Sequence, residues 1–163
     1  MTKRISGVLA VVVLLITLVV TGCGNQLTMQ EYYDQLGTYF KDYVAVCLDF
    51  DTLYQDFTSA EQADQKLSQA KEICSKAKAA LDNFAKMNPP SQYSEKHKEL
   101  VKSIDYEKEY WDKSEKIFTA KTDSEIKQFA EEADGMFDDI PSEQQFQSIY
   151  RDLYLSVKTE VEK

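Results

Sequence analysis

The stretch TMQEYYDQLGTYFKDYVAVCLDFDTLYQDF, residues 28–57, decides the fold class. Its first four residues, Thr28-Met29-Gln30-Glu31, have the Ser/Thr-x-x-Glu/Gln spacing of a capping box. There a hydroxyl and a carboxylate satisfy backbone N–H groups left unpaired at a helix start. Behind them Tyr33, Leu36, Phe40, Tyr43, Cys47, Phe50, Tyr54 and Phe57 recur at alternating steps of three and four. That alternation keeps one side of a helix apolar and is the seam of a bundle. Asp34, Lys41, Asp42, Asp49, Asp51 and Asp56 fall off the seam and can stay in water.

The same grammar continues downstream. Thr58-Ser59-Ala60-Glu61-Gln62 offers two overlapping capping boxes, Thr58 with Glu61 and Ser59 with Gln62. A second stripe follows at Ala63, Leu67, Ala70, Cys74, Ala77, Leu81 and Phe84. It is lined mainly by alanine, so a partner helix can approach closely. The short connection forces an antiparallel hairpin. Asn88-Pro89-Pro90-Ser91 stops this helix, because proline lacks the amide donor and restricts the residue before it. The third helix begins in that turn, capped by Asn88 or Ser91. Its seam is Tyr93, His97, Leu100, Ile104, Trp111 and Phe118, with Glu107 and Ser114 in the remaining slots and Tyr106, Tyr110 and Ile117 beside it.

Thr122-Asp123-Ser124-Glu125 is a further capping box, opening a segment with Ile126, Phe129, Ala133, Met136 and Phe137 on one side. Gly135 and Pro141 bracket a break. Ser142 with Gln145 restarts a helix whose apolar positions are Phe146, Ile149, Tyr150, Leu153 and Val157. The expected architecture of residues 28–163 is all-α: an antiparallel up-down-up-down four-helix bundle whose fourth helix is broken near residues 137–141.

Ahead of the bundle, Lys3 and Arg4 form a basic n-region, and Ile5 to Val20 is an apolar run broken only by Ser6, Gly7 and Thr17. That order reads as a secretory signal, and the run falls short of the roughly 20 residues that span a bilayer. The ending Val20-Thr21-Gly22-Cys23 resembles the bacterial lipobox. The resemblance implies diacylglyceryl transfer to the Cys23 thiol and cleavage after Gly22. Residues 1–22 are then the lipoprotein signal peptide, residues 23–27 a lipidated tether of roughly 20 Å at full extension, and residues 28–163 the folded domain. The domain is expected outside the cytoplasm, anchored to a bacterial membrane by acyl chains.

Removal of residues 1–22 takes two of the 19 basic side chains and no acid, leaving 17 against 28 acidic ones, a formal charge of −11. Such a surface disfavours nucleic acid and anionic headgroups, which both need basic groups. Three glycines and three prolines in the mature chain are few, as long helices require.

Candidate chemistry is sparse. Cys47 and Cys74 lie on the first two seams, in a compartment that permits disulfides. They are read either as a bridge or as two buried thiols packed as small hydrophobes. His97 is the only histidine, and the position three before it is Ser94, so the Glu-x-x-His pairs of di-iron bundles are absent. No Cys-x-x-Cys-His haem signature, Gly-x-Ser-x-Gly elbow or Gly-rich phosphate loop occurs. The chain is therefore expected to be no enzyme and to carry neither metal nor cofactor. One constellation stands out: the up-down topology gathers Tyr33, Phe40, Tyr43, Tyr93, His97, Tyr150 and Tyr154 at the membrane-proximal end. Tyrosine has an apolar body and a polar tip, so the cluster could line a small-ligand pocket or simply pack as core.

The run Pro89-Pro90-Ser91-Gln92-Tyr93-Ser94-Glu95-Lys96-His97-Lys98-Glu99-Leu100 resembles a Pro-Pro-x-x-Tyr-x-x-x-His-x-x-Leu pattern of small uncharacterised helical lipoproteins and secreted proteins of bacteria. The resemblance implies an extracytoplasmic helical bundle with His97 in the hairpin packing, and no activity. Two functions are therefore expected in order. The first is an interaction or accessory module at the cell surface, meeting a protein or cell-envelope partner. The second is a ligand-binding or sensing bundle that uses the tyrosine-rich end.

Overall fold

The computed structural model describes residues 26–163. The proposed signal peptide, Cys23 and most of the tether lie outside those residues. Among the described residues there is no strand. Five helices form: α1 (Met29–Gln55), α2 (Ala63–Ala85), α3 (Ser94–Ile117), α4 (Asp123–Asp134) and α5 (Phe146–Val161). Two of their starts follow the capping boxes. Thr28 Oγ1 accepts from the Glu31 amide at 3.2 Å, and the Glu31 carboxylate takes the Thr28 amide at 2.8 Å. Thr122 and Glu125 repeat the arrangement at α4.

The other starts differ from the expected caps. Ser59 makes no side-chain cap; a 3-10 turn (Ala60–Gln62) precedes α2, and Gln62 Oε1 accepts the Thr58 amide at 2.8 Å. Neither Asn88 nor Ser91 caps α3, because Pro90 leads into a 3-10 turn (Ser91–Tyr93) that hands over to the helix. The Asn88 carbonyl instead accepts the Leu27 amide at 2.9 Å. At α5 the Gln145 side chain reaches back to the Phe137 and Ile140 carbonyls.

Named contacts set the directions. Tyr43 faces Phe146, Phe40 stacks on Tyr150 with ring centres 4.0 Å apart, and Tyr33 stacks on Tyr154, so α5 runs antiparallel to α1. Lys78 pairs with Asp112 at 2.6 Å and Lys108 with Asp82, so α2 and α3 are antiparallel as well. Tyr32 meets His97, and Phe57 meets Phe118, so α3 runs alongside α1 in the same direction. Helix α2 packs between α1 and α3; α5 packs against α1 and α3.

What reads as one broken fourth helix is two helices that share α3 and differ in their contact with α1. Helix α4 packs on α3, while α5 touches both α1 and α3. The connection between them contains two 3-10 turns, Gly135–Phe137 and Ser142–Gln144.

The α3 seam is buried in full, including His97, Glu107 and Ser114. Half of the expected first seam is buried as read, at Leu36, Tyr43, Phe50 and Phe57, while the other half shifts by one residue. Tyr32 and Leu53 are buried, whereas Tyr33, Phe40 and Cys47 are half-buried and Tyr54 is exposed. The reason is a wide apolar arc: Tyr32/Tyr33, Tyr39/Phe40, Val46/Cys47 and Leu53/Tyr54 are adjacent pairs, so two stripes run side by side. Neighbours on two sides of α1 use both. Large side chains such as Phe84, Trp111 and Phe118 are sealed in the core, each worth roughly 1.5–3 kcal/mol in removal from water.

Candidate functional site

Where α4 ends and α5 begins, the cover over α1 and α3 is interrupted and a cleft of about 320 Å³ opens. Helix α1 contributes Tyr43 and Phe50, α3 contributes Tyr110 and Trp111, and Phe137 closes the side nearest the break. The rings stand at steep angles: Phe50 to Trp111 at 89° and Tyr110 to Trp111 at 73°. Tyr43, Phe50 and Trp111 are almost wholly buried beneath the space, whereas the half-buried rings of Tyr110 and Phe137, 5.5 Å apart at 46°, border it.

Glu107 brings a carboxylate into this aromatic box and is only 6 % exposed. Tyr43 Oη donates to Glu107 Oε2 at 2.6 Å, and Trp111 Nε1 donates to Tyr43 Oη at 3.1 Å. The tyrosine hydroxyl is thus committed as donor to the acid and acceptor from the indole. Glu107 Oε1 has no protein partner among the described residues and is not sealed, so it opens on the cleft. Asp51 from α1 and Asp134 from the end of α4 stand on the rim. Among the described residues none of these three acids joins an ion pair.

Burial raises the Glu107 carboxyl above its ordinary value, and the Tyr43 hydrogen bond offsets part of that. Burial first, then the nearby Glu107 charge, pushes the Tyr43 hydroxyl far up, so it keeps its proton and remains a donor. Cys47 lies on the same wall, and burial lifts its thiol to about 11. A thiol held protonated at neutral pH is a poor nucleophile.

The seven residues expected as one ligand-lining set divide three ways. Tyr43 belongs to the cleft. Tyr33, Tyr154, Tyr150 and Phe40 form a stacked ladder along α1 and α5, with Tyr33 and Tyr154 hydroxyls 2.9 Å apart and Tyr150 donating to the Leu36 carbonyl. Tyr93 and His97 join Tyr32 on the α1–α3 side. Tyr93 donates to the Ser156 carbonyl at 3.0 Å, and Tyr32 Oη lies 2.9 Å from His97 Nδ1. Burial lowers the His97 pKa. The Phe84 carbonyl faces the ring and opposes that shift, yet Nε2 makes no well-aligned hydrogen bond. These contacts hold helices together, and Phe40, Tyr150 and Tyr154 also line a surface hollow of about 350 Å³ beside α5.

Cys47 and Cys74 are free thiols. Cys47 is half-buried and lines the cleft with Glu107 and Gln147. Cys74 is fully buried near Asp112 and Glu115 of α3, where burial lifts its thiol to about 12.

Tyr32 and Glu107 are the residues that periodicity undervalued. For Glu107 the signal was present: a carboxylate in a seam slot must find a donor or an opening. The opening itself could not be read, because it joins residues 51, 107 and 134 from three helices. No family model, curated protein or solved structure matches this chain.

Proposed function

We propose that this chain is a membrane-anchored extracytoplasmic lipoprotein whose helical domain is a non-enzymatic binding module at the cell surface, taking its target in the cleft over Glu107. The anchor rests on the order of residues 1–23: basic start, apolar run, small residues, cysteine. The helices are read as an up-down-up-down four-helix bundle in which α4 and α5 together form the fourth element. The discontinuity in that element is what leaves the cleft uncovered.

One observation carries the binding reading. A buried carboxylate keeps one oxygen unpaired and turned to an open, aromatic-walled space of a size suited to a small molecule. About 320 Å³ sits at the low end of the roughly 300–1,000 Å³ typical of ligand sites. A protein or cell-envelope partner is the second reading, favoured by Val44 and Leu48 on α1 and Leu155 on α5. These are 38, 61 and 52 % exposed.

Two experiments test the proposal. Metabolic labelling with a fatty acid should mark the chain and send it to the membrane fraction, and Cys23→Ala should abolish both; labelling that survives the substitution would remove the anchor assignment. Native mass spectrometry of the purified full chain should show bound mass that is lost on denaturation. Bare polypeptide, together with a crosslinked partner at Leu48 or Leu155, would move the function to the exposed apolar residues.

A further inference from the structure

We propose that the cleft is built for a small organic cation, a quaternary ammonium or protonated amine seated against Glu107 and bordered by the half-buried rings of Tyr110 and Phe137. The inference rests on the cleft being the binding site and names the chemistry of what enters it.

Charge is the first argument. Glu107, Asp51 and Asp134 converge on one opening, and no lysine or arginine lines it. A buried carboxylate without a counter-ion is costly, and an entering cation supplies the missing partner. The same charge repels anions.

Aromatic faces are the second. A cation positioned over Trp, Tyr or Phe within about 6 Å of the ring centre is attracted by the ring quadrupole, most strongly where water is excluded. The half-buried rings of Tyr110 and Phe137 stand 5.5 Å apart at 46° on the border of the opening, where one guest can meet both.

The spread of the acids is the third. Among the described residues no group of three or more His, Cys, Asp or Glu is close enough to hold a metal ion. The three carboxylates therefore suit a guest larger than a bare ion, with its charge distributed over methyl or methylene groups. Placement favours a free solute over a lipid headgroup. Tyr43 lies fourteen residues beyond Met29 on α1, roughly 21 Å along the helix at 1.5 Å per residue, away from the anchored end.

Trp111 is the only tryptophan and is buried just beneath the cleft against Tyr110, so its fluorescence reports on the site. The probe is choline, titrated into the full-length chain in detergent, against its uncharged isostere with tert-butyl in place of trimethylammonium. Saturable quenching by choline is expected, weakened roughly tenfold or more for the isostere and for Glu107→Gln. A double variant, Asp51→Asn with Asp134→Asn, alters exposed side chains that do not hold the fold and should also weaken choline. Equal binding of choline and isostere, or full affinity in both variants, would overturn the cation assignment. A parallel thermal-shift panel of sugars, carboxylates and amines separates the two levels of inference. Stabilisation by a neutral or anionic compound alone overturns the cation and keeps the cleft as a binding site, whereas no stabilisation by any class overturns both. Quenching by phosphatidylcholine vesicles but not by choline would overturn the free-solute assignment.

Discussion

Tyr43 on α1 donates to Glu107 on α3 at 2.6 Å, while its oxygen accepts from Trp111 one turn further along α3. One hydroxyl thereby ties two helices together at the floor of the cleft. It also stabilises a carboxylate that burial would otherwise drive toward its neutral form. Tyr43→Phe keeps the ring and removes the bond. It leaves a buried acid and an indole N–H short of partners, at a cost of about 1–3 kcal/mol at neutral pH. Urea denaturation of the two proteins checks this; an unchanged midpoint would mean that water replaces the hydroxyl freely.

Glu107→Gln separates the acid's charge from its shape. The folded-state pKa is raised above the ordinary 4.5 by burial, so folding favours the protonated acid. Its stabilising contribution is complete below that ordinary value and is lost as pH rises through the raised one. The wild type should therefore lose stability over that window relative to Glu107→Gln. Melting temperatures of both proteins taken from acid to neutral pH should diverge as pH rises; parallel curves would place the carboxylate in water.

His97 works in the opposite sense. Burial lowers its pKa from the ordinary 6.5, so the folded chain holds neutral imidazole while the unfolded chain takes up a proton as pH falls below that value. Stability from this group is present above about 6.5 and drains away below it. His97→Gln, made in the Glu107→Gln background to remove the opposing trend, should flatten the loss between pH 7 and 5. Unfolding midpoints at three pH values suffice to read the slope.

Gly37 sits inside α1 opposite Tyr154. A methyl group there would meet the Tyr154 ring at 3.6 Å, an ordinary van der Waals distance. Gly37→Ala should therefore stabilise the chain by about 0.5–1 kcal/mol, because alanine gives up less backbone freedom in a helix. A lowered melting temperature would show that the α1–α5 contact is tighter than this spacing.

Cys74 is sealed and Cys47 half-buried. Under native conditions a thiol reagent should label Cys47 slowly and Cys74 only on unfolding, and intact mass should show no loss of two hydrogens. Such a loss, reversed by reductant, would establish a bridge.

The all-helical class, the Thr28–Glu31 and Thr122–Glu125 caps and the complete α3 seam were legible from the chain, because each depends on residues within a few positions of one another. Periodicity could not choose between two apolar stripes one residue apart on α1. The choice fell to Tyr32, whose hydroxyl meets His97, leaving Tyr33 to stack on Tyr154 at the surface. The residues expected in one pocket fall on different sides of the bundle, with Phe40, Tyr150 and Tyr154 around one surface hollow and Tyr43 at the cleft. The cleft lay furthest from reach: it lies where α4, packed on α3, gives way to α5, packed on both α1 and α3, and so leaves Glu107 uncovered at one oxygen. Local spacing determines which residues become helix and which face is apolar; which apolar face turns inward, and where the cover fails, is decided only when helices distant in sequence compete for the same core.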